Sequence, residues 1–577
     1  MKYPKLRVLK SSRQMVDTFK GYNHNLRITD GEFYDMKNMT SDSYPVLSPR
    51  GKRGMYASPA SPTGIIAKDA LCYCDGTDFV MNEYRIDMGL SDEPKQLVSM
   101  GAYVIILPDK KYINTADIED RGNIEAEFTT SEAASFTLCR LDSTEYVVTY
   151  PPSDTEPSGA ENMALWIDTS STPNVLKQYS ASAGMWVTIA TTYVKISYPN
   201  IGKAFERYDG IEIAGLEETP VSSLNGSAVV WEKGDDYIVV VGIIDSAVDV
   251  ETPITISRKM PNMDFVVESE NRLWGCRYGE AINGEIVNEI YASKLGDFKN
   301  WSCYMGLSTD SYTASCGTDG KFTGAITHMG YPLFWKEGFV HKVYGNYPAN
   351  FQIQTTACRG VQNGCDKSLA IVNETLFYKA RSGIMAYDGS LPIEASYALG
   401  NEVYGEAVGG AHGNKYYVSM KDKDEKWNLF VYDMAKGMWH REDDLKAECF
   451  CSCQGELYAL TGKNIITMLG SGEQDLADVE WMVETGEIGI SSPDMKYISR
   501  LTVRMMLEPE ATCKFYAKYD FSDEWELMFT QKGTSLRSFS IPIRPKRCDH
   551  MKLRIEGKGM AKIYSFTKTI EQGSELS

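Results

Sequence analysis

A chain of 577 residues is too long for one hydrophobic core, and its 43% hydrophobic content with 35 Tyr, 20 Phe and 48 Gly describes a globular protein of half-buried strands joined by glycine turns. The formal net charge of -19 excludes a surface built to wrap nucleic acid, because phosphate binding needs a basic field that releases counterions. The N-terminus has no apolar central region, and the run YIVVVGII from Tyr237 is far shorter than a membrane span, so neither a standard secretion signal nor a membrane-embedded chain is expected.

Residues 1–58 read as an extended, glycine-punctuated arm. Periodic apolar residues are too few for a helix, so the arm would gain order by lying along its neighbours or by closing a first blade. Arg50, Lys52 and Arg53 form its one basic cluster, a candidate docking point weighed against a solvated turn.

A repeat begins after the arm. Segments such as LCYCDGTDFVM, NRLWGCRYGEAINGEIVNEIYASKLGD, ETLFYKARSGIMAYDG and NKYYVSMKDKDEKWNLFVYD each show an aromatic or aliphatic strand, a polar turn and a second strand, the sequence form of an antiparallel hairpin. Leu71, Tyr103, Leu273, Leu333, Leu376, Tyr416 and Leu457 occupy equivalent strand positions. The last four stand about 40 residues apart, the length of a four-stranded propeller blade, and the 3.6-residue period of helical repeats is missing. The expectation is an all-β chain: a β-propeller of about seven blades, with blades 1 and 2 over residues 59–114 and blades 3 to 7 over residues 256–470.

Between these stretches, residues 115–255 carry a different vocabulary and read as an inserted small β domain, placed where the backbone is exposed. Its segment ALWIDTSSTPNVLKQYSASAGMWV resembles a short β unit of bacteriophage tail and tail-fibre proteins. Trp166, Tyr179 and Trp186 are its candidate partner or glycan contacts, since aromatic faces stack on sugars, against the plainer reading of packed core. Residues 471–577 alternate in short strands and read as a C-terminal β-sandwich.

Chemistry is hard to find in this pattern. The segment YASKLGDFKNW approaches an Asp-box turn, but Leu295 stands where the aspartate belongs, and an Asp-box is in any case a structural turn. Arg272, Arg277, Arg359 and Arg381 are scattered over blades. The six histidines show no H-E-x-x-H spacing, and the 13 cysteines, several two apart on strands, read as reduced core thiols. The sequence therefore leads us to expect no catalytic residues, no metal and no cofactor, and a chain that is not an enzyme.

The arm carries a more specific signal. Gly31, Glu32, Asp35 and Asn38 form a G-E-x-x-D-x-x-N element, and Arg50 with Gly51 closes it, the usual intervening proline standing earlier as Pro49. In this order, followed by blade hairpins, these residues resemble the packaged-DNA stabilisation proteins, or tail accessory factors, of tailed bacteriophages. The resemblance implies a structural virion protein of the tail or head-tail junction, assembled in the host cytoplasm. Copies would form a ring, commonly a hexamer, that contacts portal, adaptor or other tail proteins, helps retain packaged DNA and seats further tail parts. DNA would pass without sequence-specific binding, an acidic wall letting it slide, and no membrane is involved. The alternative is a distal-tail or receptor-binding protein that recognises a host-surface polysaccharide through the inserted domain.

Overall fold

The computed structural model describes residues 11–281, 284–471, 473–474, 478–491, 495–520 and 522–572. Residues 1–10 of the arm therefore lie outside the described residues. Among the described residues, helix is confined to five three-residue 3-10 turns and all other regular structure is strand. The chain is all-β and of the propeller type.

Seven antiparallel modules carry the repeat, over residues 62–87, 96–123, 265–315, 324–357, 370–394, 404–441 and 449–467; the first six contribute four strands each, and Gly54–Ala57 and Glu473–Gln474 bring the last to five. Each residue chosen as an equivalent repeat position lies on the second strand of a module: Leu71–Asp75, Tyr103–Leu107, Arg272–Glu280, Tyr331–Lys336, Thr375–Ala380, Lys415–Asp422 and Glu456–Thr461. These strands are buried on both faces over most of their length, as in Tyr331–Lys336 and Thr375–Ala380. A strand covered on both sides reads as a continuous apolar run, and this explains why the repeat was visible. Several turns between strands place two consecutive residues at positive φ, as at Asn82 and Glu83, Glu270 and Asn271, and Asn373 and Glu374, the backbone that joins twisted strands in two residues.

The chain forms two compact units. The first comprises residues 1–95, 334–340 and 356–577 and the second residues 96–333 and 341–355, a division that does not follow the sequence-drawn bounds. In the first unit, neighbouring modules share apolar cores. Tyr417, Leu429 and Val431 pack on Leu457, Ala459 and Met468, while Cys453, Leu460 and Ile465 pack on Ile65 and Leu71. The Trp439 indole donates to Ala395 O at 2.8 Å, and the Tyr416 hydroxyl to Ser368 O at 2.8 Å.

The arm does close a module, but the last and not the first. Met55 and Gly54 pair with Ile466 and Thr467, because Asn464–Thr467 leaves an open edge after only three strands while Pro62–Ala67 already begins the next module. Earlier in the arm, Ser11–Val16 pairs with Ala561–Gln572, Glu32–Lys37 with Glu480–Thr485, and Tyr22 with Trp439. One hydrogen-bonded path thus runs from the C-terminal strands through the arm into the module of residues 404–441.

The C-terminal sandwich is built on a long hairpin. Lys496–Tyr519 pairs along its length with Glu526–Ile541, and on its other edge pairs first with Ala561–Gln572 and then, after Pro509, with Met551–Lys558. The hairpin bends there and its halves face each other: Phe515 on one half meets Phe539 on the other, with ring centroids 6.4 Å apart.

In the second unit, Arg121–Asn123 is the fourth strand of its module, so the inserted sheets begin only at Ala126–Thr129, later than the sequence suggested. That strand pairs with Thr255–Arg258 and forms a two-stranded neck. Six further strands continue the neck into an eight-stranded sheet, which shares with a four-stranded one a single core that includes Phe136, Ile167, Leu176, Ile213 and Val240.

Gly21 tests the seating of the arm. Its φ is +85°, and a Cβ there would stand 2.3 Å from Trp439 O. We expect Gly21→Ala to destabilise the first unit by roughly 1–3 kcal/mol, read as a lower denaturant midpoint, and an unchanged midpoint would show that this contact is not needed.

Candidate functional site

The residues singled out in the arm converge on one anchor. Arg53 donates through Nη1 to Asp443 Oδ2 at 2.7 Å and through Nη2 to Glu442 Oε2 at 2.8 Å. Arg50 donates through Nη2 to Asp443 Oδ2 at 3.1 Å, and through Nε to Asn38 Oδ1 at 2.9 Å. Burial and the neighbouring Arg53 pull the Arg50 guanidinium down, while the two carboxylates hold Arg53 up against its own burial. Burial alone would raise the Asp443 carboxyl, but Arg53 and Arg50 keep it below its usual value. The basic cluster is thus turned inward: Arg50 and Arg53 tie the arm to the loop after Met438–Arg441 and are not presented to a partner. Lys52, partly exposed, pairs with Asp478 at 3.3 Å.

The other arm residues act on the same seat. Gly31, at φ +95°, leaves no room for a Cβ beside Thr18 O. Glu32 accepts from Thr29 N at 2.6 Å, Asp35 accepts from Arg441 Nη1 at 3.1 Å, and Asn38 donates to Glu480 O at 2.7 Å.

The aromatic candidates of the insertion lie on its four-stranded sheet. Trp166 is 2% and Trp186 8% exposed, and the Trp186 ring centroid is 5.4 Å from those of both Trp166 and Tyr179. Trp166 also donates to Ser153 Oγ at 3.0 Å. Their faces are covered by one another, so this cluster is a small core and not a stacking platform, which corrects the reading of Trp166 and Trp186 as glycan contacts. Tyr179 is half-buried against them.

An opening exists elsewhere on the insertion. A groove of about 510 Å³ is lined by Asn174, Thr188, Thr191, Thr192, Asn225 and Ser227 above aliphatic residues such as Leu176 and Val240. Thr192 spends its hydroxyl proton on Gly242 O at 2.8 Å. Sequence reasoning missed this groove, since hydroxyl and amide residues in loops look alike whether or not they meet.

The Asp-box-like turn is structural. The Ser293 hydroxyl accepts from Leu273 N at 3.0 Å, and Trp301 donates to Phe298 O at 2.9 Å. Asn300 donates to Asp297 Oδ2 at 2.6 Å and to Asp209 Oδ1 at 2.9 Å, while Arg258 forms a buried ion pair with Asp209. This polar knot roots the insertion on the module of residues 265–315. Arg272 is held by the carbonyls of Ser293, Asp310 and Ser308 at 2.7, 2.6 and 2.8 Å, and Arg359 and Arg381 pair with Glu394 and Glu337.

None of the 13 cysteines forms a disulfide, and most are buried. Burial pushes the Cys72 thiol up to about 12 and the His440 imidazole down to about 3, so the first stays a thiol and the second stays neutral. Among the described residues no group of three or more His, Cys, Asp or Glu is gathered as a metal site.

No family model matches the chain, and no curated protein matches it. Solved structures do. An exo-beta-1,3-galactanase from Phanerochaete chrysosporium is 9% identical, with 52% of this chain and 94% of that one covered at a TM-score of 0.21. The acylaminoacyl peptidase of Pyrococcus horikoshii is 9% identical over 54% of this chain and 55% of that one, TM-score 0.26. The phage phi92 endosialidase is 8% identical over 78% of this chain and 64% of that one, TM-score 0.21. Glycoside hydrolases thus stand among the matches, and this corrects the expectation that the chain is not an enzyme: the absence of catalysis is not a conclusion about it. At such scores the likenesses assign it no activity either.

The anchor gives a pH-dependent expectation. A carboxyl held below its unfolded value stabilises the fold fully above about pH 4 and loses that contribution as pH falls through the lowered folded value. Arg53→Ala leaves Glu442 and Asp443 without their closest cation, at a cost of about 3–5 kcal/mol. We expect the variant to melt earlier at neutral pH and the gap from the parent to narrow in acid; a gap independent of pH would show that Asp443 is not the group concerned.

Proposed function

We propose that this chain is a structural component of a tailed-bacteriophage virion, in the tail or at the head-tail junction, where copies form a ring that helps retain packaged DNA and seats later tail parts. One observation carries the proposal. Gly31, Glu32, Asp35, Asn38 and Arg50, which bear the resemblance to packaged-DNA stabilisation proteins, all serve to seat the arm. What supports the reading is that these residues act together in one piece of architecture, an arm stitched to a propeller-type module and to a C-terminal sandwich. A module whose edge is paired, as Gly54–Ala57 closes Asn464–Thr467, can meet neighbours there without uncontrolled strand pairing, which suits a scaffold.

The test is made on particles. Mass spectrometry of purified virions should find the chain as a fixed component, and disruption of its gene should give heads that package DNA and then lose it. Particles that lack the chain, or that keep full DNA and infectivity without it, would end this reading.

A second reading follows from the groove of the insertion. Its hydroxyl lining over aliphatic residues, beside Asn174 and Asn225 whose amides are held by Asp245 and Leu216, suits a polysaccharide of the host surface, bound without charge pairing. Saturable binding of the full chain on a glycan array, weakened at least about tenfold by Thr191→Trp, which fills the groove, is expected on this reading. Equal binding by parent and variant would remove the groove from it.

A further inference from the structure

The long strand Glu526–Ile541 is unusual in this chain. No residue from Glu526 to Ser540 is buried, and among the described residues the strand pairs only with Lys496–Tyr519. Its outer edge therefore presents backbone N–H and C=O groups to no strand partner. The strand is 16 residues long and follows the bend of the hairpin, so its two halves present two stretches of open edge. Folded proteins ordinarily shorten, cover or heavily charge such an edge, because it templates further pairing.

Two features show what the edge is suited to meet. The first is apolar. Leu527 is 56% and Leu536 43% exposed, while Phe529 and Phe539, with centroids 5.7 Å apart, are only half-buried beside the fully buried Phe515. The bent hairpin closes its interior from one side and leaves the flank along this strand uncovered. The second is charge. On the strand, exposed Lys532 and Arg537 stand against Glu526, whose carboxylate already pairs with Lys546, in a chain whose net charge is -19. The edge is basic while the rest of the molecule holds the acidic surplus, so the surface complementary to it is carried by another copy of the same chain.

We propose that the open edge of Glu526–Ile541 is the seat for a second copy of this chain, which lays acidic surface against Lys532 and Arg537 and covers Leu527 and Leu536. Such a contact joins unlike surfaces, the head-to-tail type that generates a ring when the rotation closes. It deepens the scaffold reading above and rests on it for its purpose, naming the surface through which copies meet.

The test is sedimentation of the full chain over a range of concentration at low and high salt. The parent should self-associate, and salt should weaken the association, because the paired charges are near solvent. Lys532→Glu with Arg537→Glu should weaken it at least about tenfold, and Leu527→Asp with Leu536→Asp should do the same through the apolar component. Both pairs lie on exposed positions, and unchanged circular dichroism and melting would certify the fold; if one pair fails to fold, the other decides. Association as strong in the variants as in the parent would overturn this surface and leave the scaffold reading standing, with copies meeting elsewhere. A parent that stays monomeric at every concentration and salt would also overturn it, and the particle assay would then judge the scaffold reading by itself.

Discussion

A four-stranded module of this chain cannot stand by itself, because its second strand is apolar on both faces and a lone sheet can cover only one with its own turns. Tyr416, Val418 and Met420 alternate with Tyr417 and Ser419 on one strand, and all five are buried. Removing both sets from water requires a neighbouring sheet on each side, and burial of large side chains at about 25 cal/mol per Å² is the driving force for the stacking. The shared cores of the first unit are where that demand is met. Part of the remaining architecture answers the ends such a series leaves open.

The N-terminal arm is one answer. A module with three strands of its own, such as residues 449–467, exposes an unpaired edge, and Gly54–Ala57 covers it from the other end of the sequence. The same arm supplies edge partners to the C-terminal strands. Its cost is the ordering of an extended segment with little apolar surface, offset by buried ion pairs and by close backbone approaches at Gly21 and Gly31 that only glycine permits. That balance accounts for the residue types of the arm: glycines where the chain crosses, charged and amide side chains where it is held.

The insertion solves a different problem. It leaves its module through a two-stranded neck and carries its own core, so it can differ without disturbing the strands that flank it. The knot of Asp209, Arg258 and Asn300 fixes its root with side chains whose charges and amides satisfy one another away from water. The groove is left to the loops and strand ends, where backbone is exposed and side chains can change freely.

The amino-acid sequence by itself determined the strand period, the positions at which the repeat recurs, the presence of an insertion and the change of pattern toward the C-terminus. Those features are local: burial on both faces of a strand fixes a run of apolar residues, and a turn fixes a few residue types beside it. What only the tertiary structure decided is where distant segments meet. Arg50 and Arg53 read as an exposed basic cluster until the fold set Glu442 and Asp443 against them, and Trp166 and Trp186 stayed open between sugar contact and packed core until the fold set their rings edge to face. The open edge of Glu526–Ile541 was equally hidden, because a strand with a partner on one side has the same sequence as a strand with partners on both; pairing is a property of the backbone, and the side chains that sequence records do not report it.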